Sequence, residues 1–345
     1  MKPTHEDAQL FADCFNRNGS EKELANVQWQ LLENPVDKLY VDFAESDSGD
    51  LAAIYASAPN RFKVAEQTVT AVQSLDTLTD AEYRGKGLFK KLAASVFGRC
   101  EQESVDFIYG FPNGNSAHGF FNRLGWTSLD PVPFLVCPLR SGYFATRAPV
   151  LKKISRWIPD IPLAKPRMPV LPEGHAIRAA LSWDEFDIEG ISEEFSSTYQ
   201  VGIVRDKAYL KWRTSKPQEN YKTLVYYVGD EAKAVIVYAV KEKHGGRIGY
   251  ILELMHPAGG ESMGTALLRH ALRDMVRQKT DAVLAWCFSH SANYSSFRRS
   301  GFWTLPMRLR PIELHMGVKP LASKDSANLL KRENWYVSYC DSDTV

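Results

Sequence analysis

The stretch Thr79-Asp80-Ala81-Glu82-Tyr83-Arg84-Gly85-Lys86-Gly87-Leu88-Phe89-Lys90-Lys91-Leu92 decides how this chain of 345 residues is read. A β-rich segment, Val69 to Leu78, runs into it. Leu88, Leu92 and Val96, spaced four apart, predict a helix that begins near Gly87. A turn of this kind collects unpaired backbone N–H groups at the positive end of a helix, where a phosphate can sit. Gly85 and Gly87 permit a left-handed backbone and close approach of a ligand. Arg84 and Lys86 add positive charge, and the guanidinium fork suits a diphosphate. The stretch therefore reads as a phosphate cradle. It is not a P-loop, since no Gly-x-x-x-x-Gly-Lys-Ser/Thr is present.

Downstream, Val105 to Phe111 reads as a strand closed by Pro112-Asn113-Gly114-Asn115-Ser116, followed by a short helical stretch ending in Phe121-Asn122-Arg123-Leu124-Gly125-Trp126. The cradle resembles the acyl-CoA loop of the GNAT superfamily of N-acyltransferases, Gln/Arg-x-x-Gly-x-Gly/Ala. Arg84 and Gly87 match, and Phe89 stands where that family has a small residue. The Gly-Phe-Pro-Asn-x-Asn-Ser run and the Leu-Gly-aromatic ending resemble one subgroup of bacterial acetyltransferases in the same superfamily. The resemblance spans roughly residues 10–140.

What the resemblance implies is transfer of an acetyl group from acetyl-CoA to a primary amine of a small acceptor, by direct attack in a ternary complex. Leu78 and Thr79 would meet the pantetheine arm through their backbone. Arg84, Gly85, Lys86, Gly87, Leu88 and Phe89 would hold the diphosphate, and Asn115 the arm. Asp76 is the first candidate for the base that frees the amine. His118 has a suitable ordinary pKa. The family's leaving-group Tyr falls on Phe121 here, which leaves Tyr109 as a substitute acid. Trp29 and Asn113 are the acceptor-side candidates, with a core position as the rival reading for Trp29. An amino sugar of surface-polysaccharide synthesis is the expected acceptor.

The remainder of the chain reads as a second copy. Trp29 and Trp212 each precede a first strand, Asp76 lies 11 residues before Gly87, and Glu253 lies 11 before Gly264. Asp76 to Gly125 spans 49 residues and Glu253 to Gly301 spans 48. Copy one is expected to carry strands at Leu39–Glu45, Leu51–Ser57 and Phe62–Leu78, with turns at Ser48-Gly49-Asp50 and Pro59-Asn60. Copy two is expected to carry them at Thr223–Val228, Ala234–Val240 and Ile248–Met255, with turns at Gly229-Asp230 and Gly245-Gly246. The fold class is α+β: two tandem GNAT-like domains, each a mainly antiparallel mixed sheet flanked by helices. Residues 1–140 form the acetyl-CoA-binding domain, 141–175 a Pro-rich basic linker, and 176–345 a degenerate copy. In the register of Gly87 and Gly264, Glu261 replaces Arg84, so charge repulsion predicts that copy two no longer binds the diphosphate.

A hydrophobic content of 44% suffices for two cores. The formal net charge of +1 gives no support to a nucleic-acid partner. Five cysteines without CxxC spacing and dispersed histidines indicate neither a disulfide framework nor a metal site. No signal peptide or membrane-spanning run is visible, so a cytoplasmic protein, monomer or homodimer, is expected. The segment 147–158 sets Val150, Leu151, Ile154, Trp157 and Ile158 against Lys152, Lys153 and Arg156. It reads as an interdomain helix, with contact to a membrane surface as the alternative. The competing classes are a non-catalytic acyl-CoA-binding or scaffold protein, and a Fem-type aminoacyl-tRNA-dependent transferase.

Overall fold

The computed structural model describes residues 3–36, 38–47, 49–147, 157, 160–163, 166–310, 312–321 and 326–342. Helix α1 (His5–Arg17) opens on a reciprocal capping box, in which Thr4 Oγ1 accepts from Asp7 N–H and the Asp7 carboxylate accepts from Thr4 N–H. Its Ala8, Phe11, Ala12 and Phe15, at helical spacing, are buried. Then follow α2 (Leu24–Leu32), β1 (Tyr40–Glu45), β2 (Leu51–Val64), β3 (Gln67–Thr79), α3 (Leu88–Gln102), β4 (Phe107–Gly110), α4 (Gly114–His118) with a π-turn over Gly119–Arg123, and β5 (Thr127–Ser128). The chain continues through β6 (Phe134–Pro138), α5 (Ser141–Arg147), β7 (His175–Ala180), α6 (Ile188–Ser196), β8 (Val201–Ile203) and α7 (Lys207–Thr214). It ends with β9 (Lys222–Val228), β10 (Glu231–Lys243), β11 (Gly246–Met255), α8 (Glu261–Arg277), β12 (Ala282–Trp286), α9 (Tyr294–Arg299), β13 (Trp303–Thr304), β14 (Gly317–Pro320) and α10 (Ser326–Leu329).

Two mixed sheets result. The first has the order β1-β2-β3-β4-β14-β5, with β8 paired to β2; the second has the order β13-β6-β12-β11-β10-β9-β7. One pair in each is parallel, β3 with β4 and β11 with β12, and the other ladders are antiparallel. Helix α3 covers the first sheet through Leu92, Ala93, Val96 and Phe97. Helix α8 covers the second through Leu267, Leu268, Ala271, Leu272 and Met275.

The sheets trade strands along the sequence. Strand β6 follows the first copy's motifs yet pairs with β12 and β13, and β14 follows the second copy's motifs yet pairs with β4 and β5. The compact units are accordingly discontinuous. The first comprises Met1–Val132, Gln200–Gln218 and Ile312–Trp335, and the second Pro133–Tyr199, Glu219–Pro311 and Tyr336–Val345. This differs from the continuous division at residues 140 and 175 expected from sequence, because each sheet takes an edge-side strand from the other half of the chain.

A second difference concerns Pro59-Asn60. Instead of turning there, β2 runs through both residues, and the chain reverses at Ala65, in the left-handed region at φ 52°. Strand β1 begins opposite Ser57 and β8 ends opposite Phe62, so Pro59 lies where β2 has a neighbour on one side only. A proline, lacking an N–H, is accommodated in such a stretch. Most of the amphipathic pattern read over 147–158, and Ser48 of the first turn, lie outside the described residues; Trp157 is exposed. No helix among the described residues is long and apolar enough to cross a membrane. No group of three or more metal-ligating side chains occurs among them.

Candidate functional site

In the first unit β3 and β4 pair over four rungs, Ala71 with Phe107 to Ser74 with Gly110. Beyond Ser74, β3 continues to Thr79 without a ladder on the β4 side. A bulge starts the divergence. Between Tyr55↔Thr77 and Ser57↔Ser74, Leu75 and Asp76 together oppose Ala56. The vertex is tight, since a β-carbon on Gly110 would come within 2.9 Å of the Ser74 carbonyl oxygen. The outcome is a V whose β3 arm presents backbone groups.

That arm leads into the glycine turn. Gly85 (φ 81°) and Gly87 (φ 76°) are left-handed, and a β-carbon on either would meet no atom within 4 Å. Glycine is thus required here by the backbone and not by crowding. Gly87 is the N-cap of α3 and lends no side chain to its first-turn N–H groups. Arg84 and Lys86 are exposed; Arg84 Nε donates to the Thr79 carbonyl at 3.3 Å, and Lys86 Nζ lies 4.4 Å from the Tyr83 ring centroid.

Phe89 turns inward, packing 5.6 Å from Phe120 and 5.8 Å from Tyr55 between ring centroids. Gly119 makes its room: a β-carbon there would stand 3.1 Å from the Phe89 ring. The large residue at 89 is therefore matched by a missing side chain at 119, and the turn stays clear of it.

The turn is anchored by residues that sequence reading missed. Asp80 accepts from Asn18 Nδ2 (3.0 Å), Glu82 N–H (3.1 Å) and Arg17 Nε (3.3 Å), while Asn18 Oδ1 accepts from Ala81 N–H. These bonds hold the Asp80 carboxyl below its ordinary pKa, that from Asn18 foremost. The end of α1 thereby clamps the start of the turn. No local pattern signals this, since the partners lie 62 and 63 positions apart.

The predicted site residues fall into two groups. Leu78, Thr79 and the run Arg84 to Phe89 are contiguous along the β3 arm and the turn, and Asp76 sits in the bulge. Asp76 is ion-paired to Lys22 and accepts from Gln30 Nε2 at 3.0 Å. Asn113 caps α4 by accepting from the N–H groups of Asn115 and Ser116. Asn115 is exposed in the first turn of α4.

The other three stand apart from this arm. Tyr109 is buried on the third paired rung, opposite Gln73, and its hydroxyl accepts from Asn60 Nδ2 (3.0 Å) and donates to Gln73 Oε1 (3.4 Å). His118 is exposed and lies 2.7 Å from Asn122. Trp29 is buried against Trp212, with ring centroids 4.8 Å apart, and each indole N–H donates to the other residue's carbonyl (2.9 and 3.1 Å).

The second unit repeats the V with the same count. Strands β11 and β12 pair over four rungs, Ile248 with Ala282 to Ile251 with Ala285, and a bulge at Leu252 follows. Here the V is occupied. Glu253, buried, accepts from the Tyr336 hydroxyl, Ser338 Oγ (2.9 Å) and Leu254 N–H (2.9 Å). Asn293 Nδ2 donates to the Leu254 carbonyl at 2.8 Å, and Tyr339 stacks on Trp286 at 4.5 Å.

The glycine turn is displaced toward the strand: Gly259 is left-handed (φ 77°) with no atom within 4 Å of a β-carbon, and Gly260 is the helix N-cap. Helix α8 starts at Glu261, four residues before Thr265, the counterpart of Leu88. Gly264 N–H is spent within the helix on the Gly260 carbonyl. A β-carbon on Gly264 would lie 2.5 Å from the ring of His256, which is buried and held below its ordinary pKa by that burial.

Residues 3–129 match the model of the family described as the acetyltransferase (GNAT) domain. No curated protein matches the chain. Among solved structures it is similar to a conserved protein of unknown function from Enterococcus faecalis V583, described as a probable N-acyltransferase. The TM-score is 0.62 at 12% identity, over 93% of this chain and 72% of that one. It is likewise similar to Saccharomyces cerevisiae N-myristoyltransferase with bound myristoyl-CoA, with a TM-score of 0.62 at 10% identity over 92% of this chain and 76% of that one. At such identities the likeness is one of fold.

Proposed function

We propose that this chain is an N-acyltransferase that moves an acetyl group from acetyl-CoA to the primary amine of a small acceptor, an amino sugar in the first instance, within a ternary complex. One observation carries the reading: the first unit's V opens directly into a glycine turn with clear space above it, inside the segment matched to the GNAT domain. In this reading the pantetheine arm lies along Leu75–Thr79 as an added strand, satisfying backbone groups that no ladder partner meets. The diphosphate takes the first-turn N–H groups of α3, and Arg84 and Lys86 swing onto it. A backbone N–H of the bulged arm stabilises the developing oxyanion. Asp76 receives the amine's proton, its orientation fixed by Lys22 and Gln30.

The second unit is read as a copy of the same ancestor that has lost its cofactor site. The matching rung counts and bulges support that descent. Titration calorimetry of acetyl-CoA into the wild type and Arg84→Glu tests the proposal. One site per chain, lost in the variant, is the expected result, and absence of binding to the wild type would overturn it.

A further inference from the structure

Acyl transfer needs more than a cradle. The thioester's sulfur leaves with an electron pair and must gain a proton, and Phe121 and the buried Tyr109 are poorly suited to give one. Among the described residues of the first unit, another titratable constellation sits on the side of β4 away from β3, at the end of the sheet where the V opens. Strand β14 lies against β4 with Gly317 opposite Gly110, the last paired residue before the divergence. Two residues earlier, His315 N–H donates to the Pro112 carbonyl at 2.9 Å, fixing His315 beside the β4 arm just before α4. Its ring lies 6.1 Å from that of Phe121, centroid to centroid.

The imidazole is oriented as acid–base histidines are. Asp130 Oδ2 lies 2.5 Å from His315 Nδ1, and Asp130 Oδ1 accepts from Met316 N–H at 2.8 Å, so both carboxylate oxygens are fixed. Nε2 lies 3.1 Å from Glu313 Oε1, on a side chain that is 69% exposed, and Glu313 rests against Gly114 at the start of α4. An exposed pair of this kind is worth little and is readily exchanged for a ligand. The charged groups around the ring are thus Asp130, Glu313 and, through its field on Asp130, Arg332. Burial disfavours the charged imidazole, but Asp130 and Glu313 outweigh it and raise its pKa above the ordinary value.

We propose that His315, oriented by Asp130, is the acid that protonates the departing thiolate of acyl-CoA bound in the first unit. The inference rests on the acyltransferase reading above. The amine nitrogen forms its bond to the acyl carbon as the C–S bond breaks, and the electrons of that bond pass to sulfur. Nε2–H gives its proton to sulfur, and the proton shed by the new ammonium restores the imidazolium through solvent. Glu313 moves off Nε2 when the thioester arrives.

The test uses free CoA and needs no knowledge of the acceptor. An imidazolium beside the thiol favours its thiolate, so bound CoA, followed by thiolate absorbance from pH 6 to 10, should show about tenfold more thiolate near pH 7.5 in the wild type than in His315→Gln. Asp130→Asn, which keeps the bond to Met316, should fall between. If CoA binds all three proteins and its thiol titrates alike, the inference is overturned and the acyltransferase reading stands. If CoA fails to bind the wild type, both fall together. Should His315→Gln not fold, Asp130→Asn decides alone.

Discussion

The two units carry the same V, opened after four parallel rungs by a bulge, and treat it in opposite ways. In the first, the strand beyond the bulge runs to a left-handed glycine turn under open space. In the second, the left-handed glycine is Gly259 and α8 begins earlier in the common register, His256 fills the room above Gly264, and the chain's own residues 336–342 meet the strands. The units thus differ by filling: the second meets its diverging strand with its own side chains, Tyr336 and Ser338 on Glu253. Glu261 adds a charge difference: it puts a carboxylate in the first turn of α8, where the first unit has Arg84 and Lys86 leading into α3.

The sharpest way to break this comparison is a charge swap in both directions. Arg84→Glu should weaken acetyl-CoA binding by about 10²-fold or more. Glu261→Arg should leave the stoichiometry at one, and a second calorimetric site would show that charge alone separated the copies. Next in size is Glu253→Ala, which strips the acceptor from Tyr336, Ser338 and Leu254. A loss of about 3 kcal/mol in denaturant unfolding is expected, with acetyl-CoA affinity of the folded protein unchanged.

The paired glycines sharpen it further. Gly264→Ala pushes a methyl into His256 and should cost about 1–3 kcal/mol of stability without touching acetyl-CoA binding. Gly87→Ala has space but an unfavourable φ, so about 1–2 kcal/mol of strain should appear, together with weaker binding. The smallest effect concerns the clamp on the turn. Asp80 has a depressed carboxyl pKa, so its stabilisation is complete above the unfolded value near 4 and fades as pH falls through the folded value. Asp80→Asn should flatten the acid limb of Tm between pH 3 and 7, by the equivalent of about 1 kcal/mol or less.

Much of the first unit was legible in the sequence. The run from Val69 to Leu92 forms a strand, a glycine turn and a helix, because alternation, left-handed glycines and a four-residue apolar period are local instructions. The matching landmark spacings in the two halves of the sequence go with an equal parallel rung count and a bulge in each sheet. Pro59-Asn60 misled because a turn dipeptide also suits a one-sided strand, and one-sidedness depends on where β1 begins and β8 ends. The partner of Trp29 was beyond the reach of sequence for a like reason, since an indole carries no mark of the Trp212 ring it stacks on, 183 positions away.

Residue type and period within short windows were enough for the α+β class and for the strand, left-handed glycines and helix of the turn at 79–92. Tertiary structure alone decided that β6 and β14 complete each other's sheets, that the second V is closed by the C-terminal segment, and that Asp130 meets His315 across 185 positions. The physical reason is common to all three. Strand edges pair through backbone groups that every residue carries, and side chains meet through space, so the partner is chosen by packing and chain reach and leaves little mark on the neighbouring sequence.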